Sequence, residues 1–447
     1  MRITSLIVTL LLLAGCNAAQ TGSEPAGSTV AEAEASTNGT DAASADETTD
    51  RPPANETQTG SDTSGEDSAR ETEETAPPET DYAPAFPGQT RAPKPADTED
   101  WVTETLARGL EHPWAIEFLP DGSMLVTERP GRLRHIAADG VVSDPLSGVP
   151  EVDARNQGGL LDIAIAPDFE SSRTVFFTFS EPHDGGTNNT AVARARLSND
   201  HRAVDNVEVI FSQYPSVGST GHYGSRIVFE NENTIWVSLG DRQGDPVRKN
   251  AQDPTNTIGT VVRIHTDGSI PQDNPFVDHV ENAPEIWSYG HRNVQAAAKH
   301  PETGELWTVE HGPRGGDELN QPQAGKNYGW PTVSYGIEYR GDAVYDGMTE
   351  AEGMEQPVYY WDPVIAPSGM TFYTGEAFPA WQGDVFVGGL RTQRLSRLVM
   401  KDGRVIGEEW LEIGHRVRDV VEGPDGALYL VTDEPDGRVM RVVPAES

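Results

Sequence analysis

Three segments carry residue types that loops built only to connect strands do not need. They are Ser288-Tyr-Gly-His-Arg-Asn293, Glu310-His-Gly-Pro-Arg-Gly-Gly-Asp-Glu318 and Asn327-Tyr-Gly-Trp-Pro331. Arg, His, Asn, carboxylates and a Gly-Pro turn stand there beside short apolar runs. That mixture suits loops that hold an anionic organic group and a metal ion. Asp317 and Glu318, with nearby backbone carbonyls, are hard oxygen ligands of the sort calcium takes. Two carboxylates in one loop are also commonly just solvated.

His222 lies in Gly218-Ser-Thr-Gly-His-Tyr-Gly-Ser-Arg226, just ahead of the apolar run Ile227–Phe229. The flanking glycines are expected to leave its imidazole accessible. A His titrating near neutrality is a natural general base for a hydroxyl proton; the alternative is a turn histidine bonded to backbone. Arg391, Arg416 and Arg418 form another set. Residues 416 and 418 are two apart, so in an extended segment both point to one side. In so acidic a chain, clustered arginines suggest a ligand with several carboxylates or a phosphate, gripped bidentately. The competing reading pairs them with Asp419 and Glu422. No Gly-x-Gly-x-x-Gly follows a strand, and no Walker loop or His-Glu-x-x-His occurs, so nucleotide binding and that zinc chemistry have no support.

The elements that must position these groups repeat along the chain. A turn rich in Asp, Gly or Asn precedes a short strand and then polar residues. The six copies begin at Pro120, Pro167, Asn231, Pro301, Trp381 and Pro424. Asp-Gly between apolar strands is a strong hairpin signal, and no long helical period competes. Six such units predict an all-β fold, a six-bladed β-propeller, with long insertions as loops on one face. A β-sandwich would not readily explain six similar hairpins. Glu128, Ser180, Asp241, His311, Arg391 and Asp433 each follow such a strand, which places the site at the mouth of the central channel.

Upstream of this head the chain changes character. Arg2, the apolar run Ile3–Leu13 and then Leu13-Ala-Gly-Cys16 read as a signal peptide, residues 1–16, too short to span a bilayer. Cys16 is the only Cys, which excludes intramolecular disulfides, multi-thiolate sites and an attached c-type heme. Residues 17–100 hold 19 Asp+Glu against 4 Lys+Arg and few large apolar residues. Such a segment cannot bury enough apolar area to offset its ordering entropy, so it reads as a disordered acidic linker. A chain starting near Thr98 is accordingly expected to fold and to be active. The catalytic head is then 101–447. The formal net charge of -38 argues against nucleic acid and anionic membrane surfaces as partners.

Leu-Ala-Gly-Cys16 resembles the lipobox of bacterial lipoproteins. The resemblance implies a lipid anchor through Cys16 and, with Asn17 next, a periplasmic or cell-surface location at the outer membrane. The head, from about Trp101 to Val443, resembles the soluble sugar dehydrogenases that depend on pyrroloquinoline quinone (PQQ), and among them the bacterial aldose sugar dehydrogenases. The matching motifs run in order. They are His112-Pro-Trp-Ala115, Thr127-Glu-Arg129, Gln157-Gly-Gly-Leu-Leu161, Gly221-His222-x-Gly224-x-Arg226, Gly240-Asp241, Gly290-His-Arg-Asn-x-Gln295, Glu310–Glu318, Asn327–Pro331, Ala366-Pro-Ser-Gly369 and Arg416-x-Arg418-Asp419.

The resemblance implies oxidation of aldose sugars at C1 to lactones, with electrons passed to an external acceptor. His222 would be the base. Gln157, Arg292 and Asn293 would lie against the quinone oxygens, with Arg292 stabilising charge there. Arg391, Arg416 and Arg418 would bind the cofactor carboxylates. The carbonyls of Gly312 and Pro313 would hold a calcium ion at the cofactor, and Glu318 with the Tyr328 carbonyl a second, structural calcium. Gly221, Arg391 and His311 depart from the Asp, Lys and Gln of the soluble glucose dehydrogenases, which puts glucose preference in doubt. The rival readings are a non-catalytic propeller that binds sugars or proteins, and a calcium-dependent, lactonase-like hydrolase.

Overall fold

A computed structural model describes residues 71–445. The signal-like segment, Cys16 and the acidic stretch 17–70 lie outside the described residues.

Six antiparallel sheets form the head, five of four strands and one of three. Their innermost strands are Pro113–Phe118, Leu160–Ile165, Gly224–Asn231, Val294–Lys299, Pro367–Phe372 and Val417–Glu422, in blades I to VI. Each inner strand packs on the next, and the sixth on the first, closing the ring of a β-propeller. All six turns counted in the sequence lie between the first and second strands of their blades. The ring is locked by Trp101–Leu110, which pairs antiparallel with Gly437–Pro444 as the outer strand of blade VI. That join removes two free edges at once.

The strands read as continuous apolar runs because each blade is buried on both faces. Phe176 packs toward blade III while Phe177 packs toward blade I. Val126 faces blade VI and its neighbour Leu125 faces blade II. Six apolar clusters result, one per gap between blades. Two insertions rise on the same side as the site. The loops around 240–259 and 321–358 are joined by Arg248, which bonds Glu338 at 2.8 Å and lies over the rings of Trp330 and Tyr345.

The linker boundary expected at residue 100 is corrected by this structure. Residues 71–100 lie along blades IV and V. The Gln89 carbonyl accepts from Tyr360 N (2.8 Å), and the Pro93 carbonyl accepts from Glu408 N (3.1 Å). Tyr360 and Glu408 belong to the outer strands of these blades, so the strap covers two sheet edges. Gln89 is fully buried, donating to Pro357 O, and Ala92 N donates to the Tyr359 hydroxyl. Arg397, also buried, donates to Asp97 O. Backbone pairing and a few anchors order this acidic segment where apolar burial alone could not.

A chain shortened to begin at Glu71 should therefore keep its melting temperature. One beginning at Thr98 should lose about 5–10 °C, because edge hydrogen bonds and buried donors lose their partners. Scanning calorimetry of the two chains checks this, and equal values would return 71–97 to the linker.

Candidate active site

The inner strands carry polar residues where they meet on the axis, and these build the floor of the site. Arg226 is buried and donates to Asp162 Oδ1 (2.9 Å) and to Gln295 O (2.7 Å); Asp419 Oδ1 lies 2.9 Å from it. Its guanidinium lies 4.3 Å over the Trp114 ring. Above this floor opens a cavity of about 470 Å³. It holds Gln157, His222, Arg292, Asn293, Arg391, Arg416 and Arg418, so the expected base and all six expected cofactor contacts share one space.

His222 is only 5% exposed, which corrects the expectation of an accessible ring. The glycines around it serve close packing instead. A Cβ on Gly240 would stand 2.0 Å from the His222 carbonyl, and one on Gly221 would stand 2.2 Å from Gln243 Oε1. The backbone of His222 is left-handed, φ 52°, and its N–H donates to Gln157 Oε1 at 2.8 Å. Its Nδ1 meets Asp241 Oδ1 at 2.6 Å. Asp241 is fully buried and also accepts from Trp330 Nε1 (2.7 Å) and Gln243 N (2.8 Å). An ionised carboxylate only accepts, so the proton sits on Nδ1 and the Nε2 lone pair stays free. Burial, with the cations Arg292 and Arg242, lowers the His222 pKa against the pull of Asp241. The ring is thus neutral and ready to take a proton.

The arginines come from turns and strand starts of different blades, with Arg416 and Arg418 on one segment, and they face few anions. Arg416 and Arg418 both reach Asp433 Oδ2, at 3.3 and 2.7 Å. The pairing considered with Asp419 and Glu422 does not form: Asp419 serves Arg226, and Glu422 binds Thr374. Burial works to raise the Asp433 pKa, but Arg418 and a bond to His112 hold it below the usual carboxylate range. Arg292 has its backbone N–H on Glu310 Oε2 (2.6 Å) and its Nη1 on His311 O (2.9 Å). Burial, then Arg292, His222 and Arg418, push His311 well below the ordinary histidine range.

Five guanidiniums line the cavity, from Arg129, Arg292, Arg391, Arg416 and Arg418, against one carboxylate, Asp433. The Nε groups of Arg129, Arg292 and Arg418 are buried without a hydrogen-bond partner among the described residues. Orphaned charged donors are costly unless a ligand accepts from them. The donor set therefore fits a polyanionic acceptor such as a tricarboxylate quinone.

Gly312 and Pro313 line an adjoining cavity of about 380 Å³, which shares His311, Tyr339, Ala366 and Arg391 with the first. Their carbonyls accept no hydrogen bond among the described residues, which leaves them free for a cation. Asp317, expected as a ligand candidate, is a clamp instead. It is fully buried and accepts from Gly312 N and Ala366 N, both at 2.8 Å. Burial raises it to about 7 despite those bonds.

Glu318 and Tyr328 lie outside both cavities. Glu318 stands opposite Glu310 across two strands, and both accept from Asn320 Nδ2. Burial and the Glu310 charge raise its pKa well above the ordinary carboxylate range. The Tyr328 ring stacks on His291, 4.7 Å away. Among the described residues no three His, Cys, Asp or Glu side chains converge on one metal position, so either cation would depend on carbonyls.

Sequence reasoning named no role for Asp241, Asp433, His112, Gln295 or Tyr339. Asp241 and Asp433 both carried a signal, since each follows the second strand of a blade.

Comparison with known proteins agrees with the geometry. The family model described as Glucose / Sorbosone dehydrogenase matches residues 110–441. Aldose sugar dehydrogenase YliI of Escherichia coli is 44% identical over 349 residues, covering 76% of this chain and 92% of that one. Quinoprotein glucose dehydrogenase B of Acinetobacter calcoaceticus is 26% identical over 418 residues, covering 76% and 86%. The apo structure of the soluble aldose sugar dehydrogenase from E. coli superposes with a TM-score of 0.74 at 44% identity, over 77% of this chain and 100% of that one. A PQQ-bound aldose sugar dehydrogenase from Streptomyces coelicolor gives 0.63 at 26% identity, over 78% and 100%. The chain, matched by the family model over residues 110–441, belongs to the glucose/sorbosone dehydrogenase family.

Proposed function

We propose that this protein is a PQQ- and calcium-dependent dehydrogenase that oxidises aldose sugars at C1 to lactones and passes the electrons to an external acceptor. The observation that carries the reading is His222. Its Nδ1 is held by buried Asp241, its Nε2 is free, and it shares a cavity with a surplus of arginines. A neutral imidazole so fixed accepts the proton of the C1 hydroxyl. The bound quinone would supply the hydride acceptor, and calcium would polarise the reacting carbonyl. Arg391, Arg416 and Arg418 would hold the quinone carboxylates. Arg292 and Asn293, with Gln157 behind the His222 backbone, would face its reacting end. The Gly312 and Pro313 carbonyls would hold the calcium, and Glu318 with the Tyr328 carbonyl a second one. A cation there would relieve the repulsion between Glu310 and Glu318. The lipobox-like sequence at Cys16 supports a lipid tether and a location in the periplasm or at the cell surface.

The defining experiment adds PQQ and calcium to the purified apoprotein. A quinone absorbance spectrum and aldose turnover should appear together, and failure of both would sink the reading. His222→Ala should keep the spectrum while turnover falls by roughly two to four orders of magnitude.

The pH profile tests Asp241. Because the His222 pKa is lowered in the fold, its neutral form persists below 6.5 and the acid limb of kcat/KM should lie below that pH. Asp241 raises that pKa, so Asp241→Asn should move the limb to still lower pH and cut the plateau about 100-fold. A plateau loss with an unmoved limb would leave Asp241 a packing role only.

The arginines separate by PQQ titration at fixed sugar and excess calcium. Arg418→Ala should weaken PQQ binding about tenfold or more, with turnover recovered at high PQQ. Arg292→Ala should lower turnover even at saturation, because its charge acts where negative charge develops. Unchanged PQQ affinity in Arg418→Ala would confine that arginine to its pair with Asp433.

A further inference from the structure

The strap carries a side chain to the mouth of the site. Glu79 lines the second cavity together with Pro313, Arg314, Tyr339 and Arg391. It is held there from both ends. Its N–H and that of Thr80 donate to the two oxygens of Asp362, at 2.9 and 3.1 Å. Its Oε2 takes both Nε and Nη2 of Arg314, at 2.7 and 2.5 Å. Its Oε1 has no partner among the described residues, and the side chain is 21% exposed. Tyr339, in the long insertion of blade IV, is 70% exposed and lines both cavities. An aromatic face beside an unpaired carboxylate oxygen is the chemistry that recognises a hydroxylated ring: CH groups pack on the aromatic face, and hydroxyls donate to the carboxylate. Glu79 lies in 71–100, ahead of the residues 110–441 that the family model matches.

We infer that the strap completes a saccharide subsite. Glu79 and Tyr339 bind the part of the sugar remote from C1, including a second ring linked to the one being oxidised. The inference rests on the dehydrogenase reading above for what occupies the inner cavity. The second cavity opens directly off the first, through His311, Tyr339, Ala366 and Arg391, so a ring seated beyond the oxidised one meets Glu79.

The test uses the full chain loaded with PQQ and calcium, with D-glucose and cellobiose as probes. Calorimetric titration of cellobiose gives a readout independent of turnover. Glu79→Ala should raise KM for cellobiose about tenfold relative to glucose, the loss of one charged hydrogen bond, with kcat within about twofold. Glu79→Gln keeps an acceptor and should recover most of the loss. Tyr339→Ala should shift the same ratio, and Tyr339→Phe should restore it. An equal loss for both sugars would mean that Glu79 acts only through Arg314 on the 312–316 loop, and would overturn the subsite. So would no change for either sugar. If the unaltered chain turns over neither sugar, the dehydrogenase reading falls and calorimetry decides the subsite alone. Weaker cellobiose binding in Glu79→Ala would uphold it; equal affinity, or no binding to the unaltered chain, would overturn it.

Discussion

The site depends on one buried cation. Arg226 sits on the propeller axis and ties the inner strands to one another. Asp162 of blade II takes it on Oδ1 and receives Ile227 N on Oδ2. Asp419 of blade VI takes it on Oδ1 and receives Ile116 N of blade I on Oδ2. The Gln295 carbonyl brings in blade IV. Blade V approaches through Gly369, where a Cβ would stand 2.1 Å from Asp419 Oδ1. Breaking a buried network of this kind leaves charges uncompensated, at about 3–5 kcal/mol for one partner. Rings of short strands have no long core of their own. This polar hub sets their angular positions, and the cavity wall inherits them.

The same axis carries two opposite electrostatic regimes. Below Arg226, Glu117 faces Asp162 and Asp419, and burial followed by those charges raises it to about 8. A protonated Glu117 at neutral pH spares the floor one negative charge. Above Arg226 the sign reverses, and Asp433 is the one carboxylate among five cavity arginines. A chain of net charge -38 thus keeps a basic chamber at its centre. Within it, His222 and His311 are both driven toward the neutral state. Asp241 makes the difference between them. It fixes a proton on Nδ1 of His222, whereas His311 points its Nε2 at Gln295 Oε1, 3.2 Å away, which itself accepts from Arg418. Of the two neutral rings, one is held by a carboxylate with its Nε2 toward the cavity, as the proposed base requires, and the other is a link in the wall.

The blade count was legible because every first turn carries its own signal, from Asp121-Gly122 to Asp425-Gly426. The cavity arginines were legible because so many clustered guanidiniums need a reason in an acidic chain. The strap was not. Residues 71–100 are acidic and Pro-rich, and composition weighs apolar burial, whereas this segment is held by edge pairing and by Gln89, Ala92 and Arg91. No local pattern encodes a partner 267 residues away, as Ala92 has in Tyr359. The exposure of His222 was misread for a related reason. Flanking glycines signal either an open loop or a crowded one, and only the approach of Gly240 and Gln243 decides which.

Asp433 sets how much charge the chamber offers. Its Oδ2 is shared by Arg416 and Arg418, and its Oδ1 meets His112 Nδ1 at 2.8 Å. One carboxylate thus offsets one of the five guanidiniums, leaving a surplus of four. A ligand with three carboxylates nearly closes that surplus. Among the described residues Arg292 has no carboxylate on its guanidinium, and it lies 5.1 Å over the Trp330 ring. Trp330 in turn donates to Asp241. Arg292 and the His–Asp dyad therefore share one indole as a common contact. On the proposed dehydrogenase reading, charge developing on a bound acceptor at Arg292 and the proton leaving the donor at His222 would meet partners braced by the same indole. Both changes would then be stabilised without the protein reorganising.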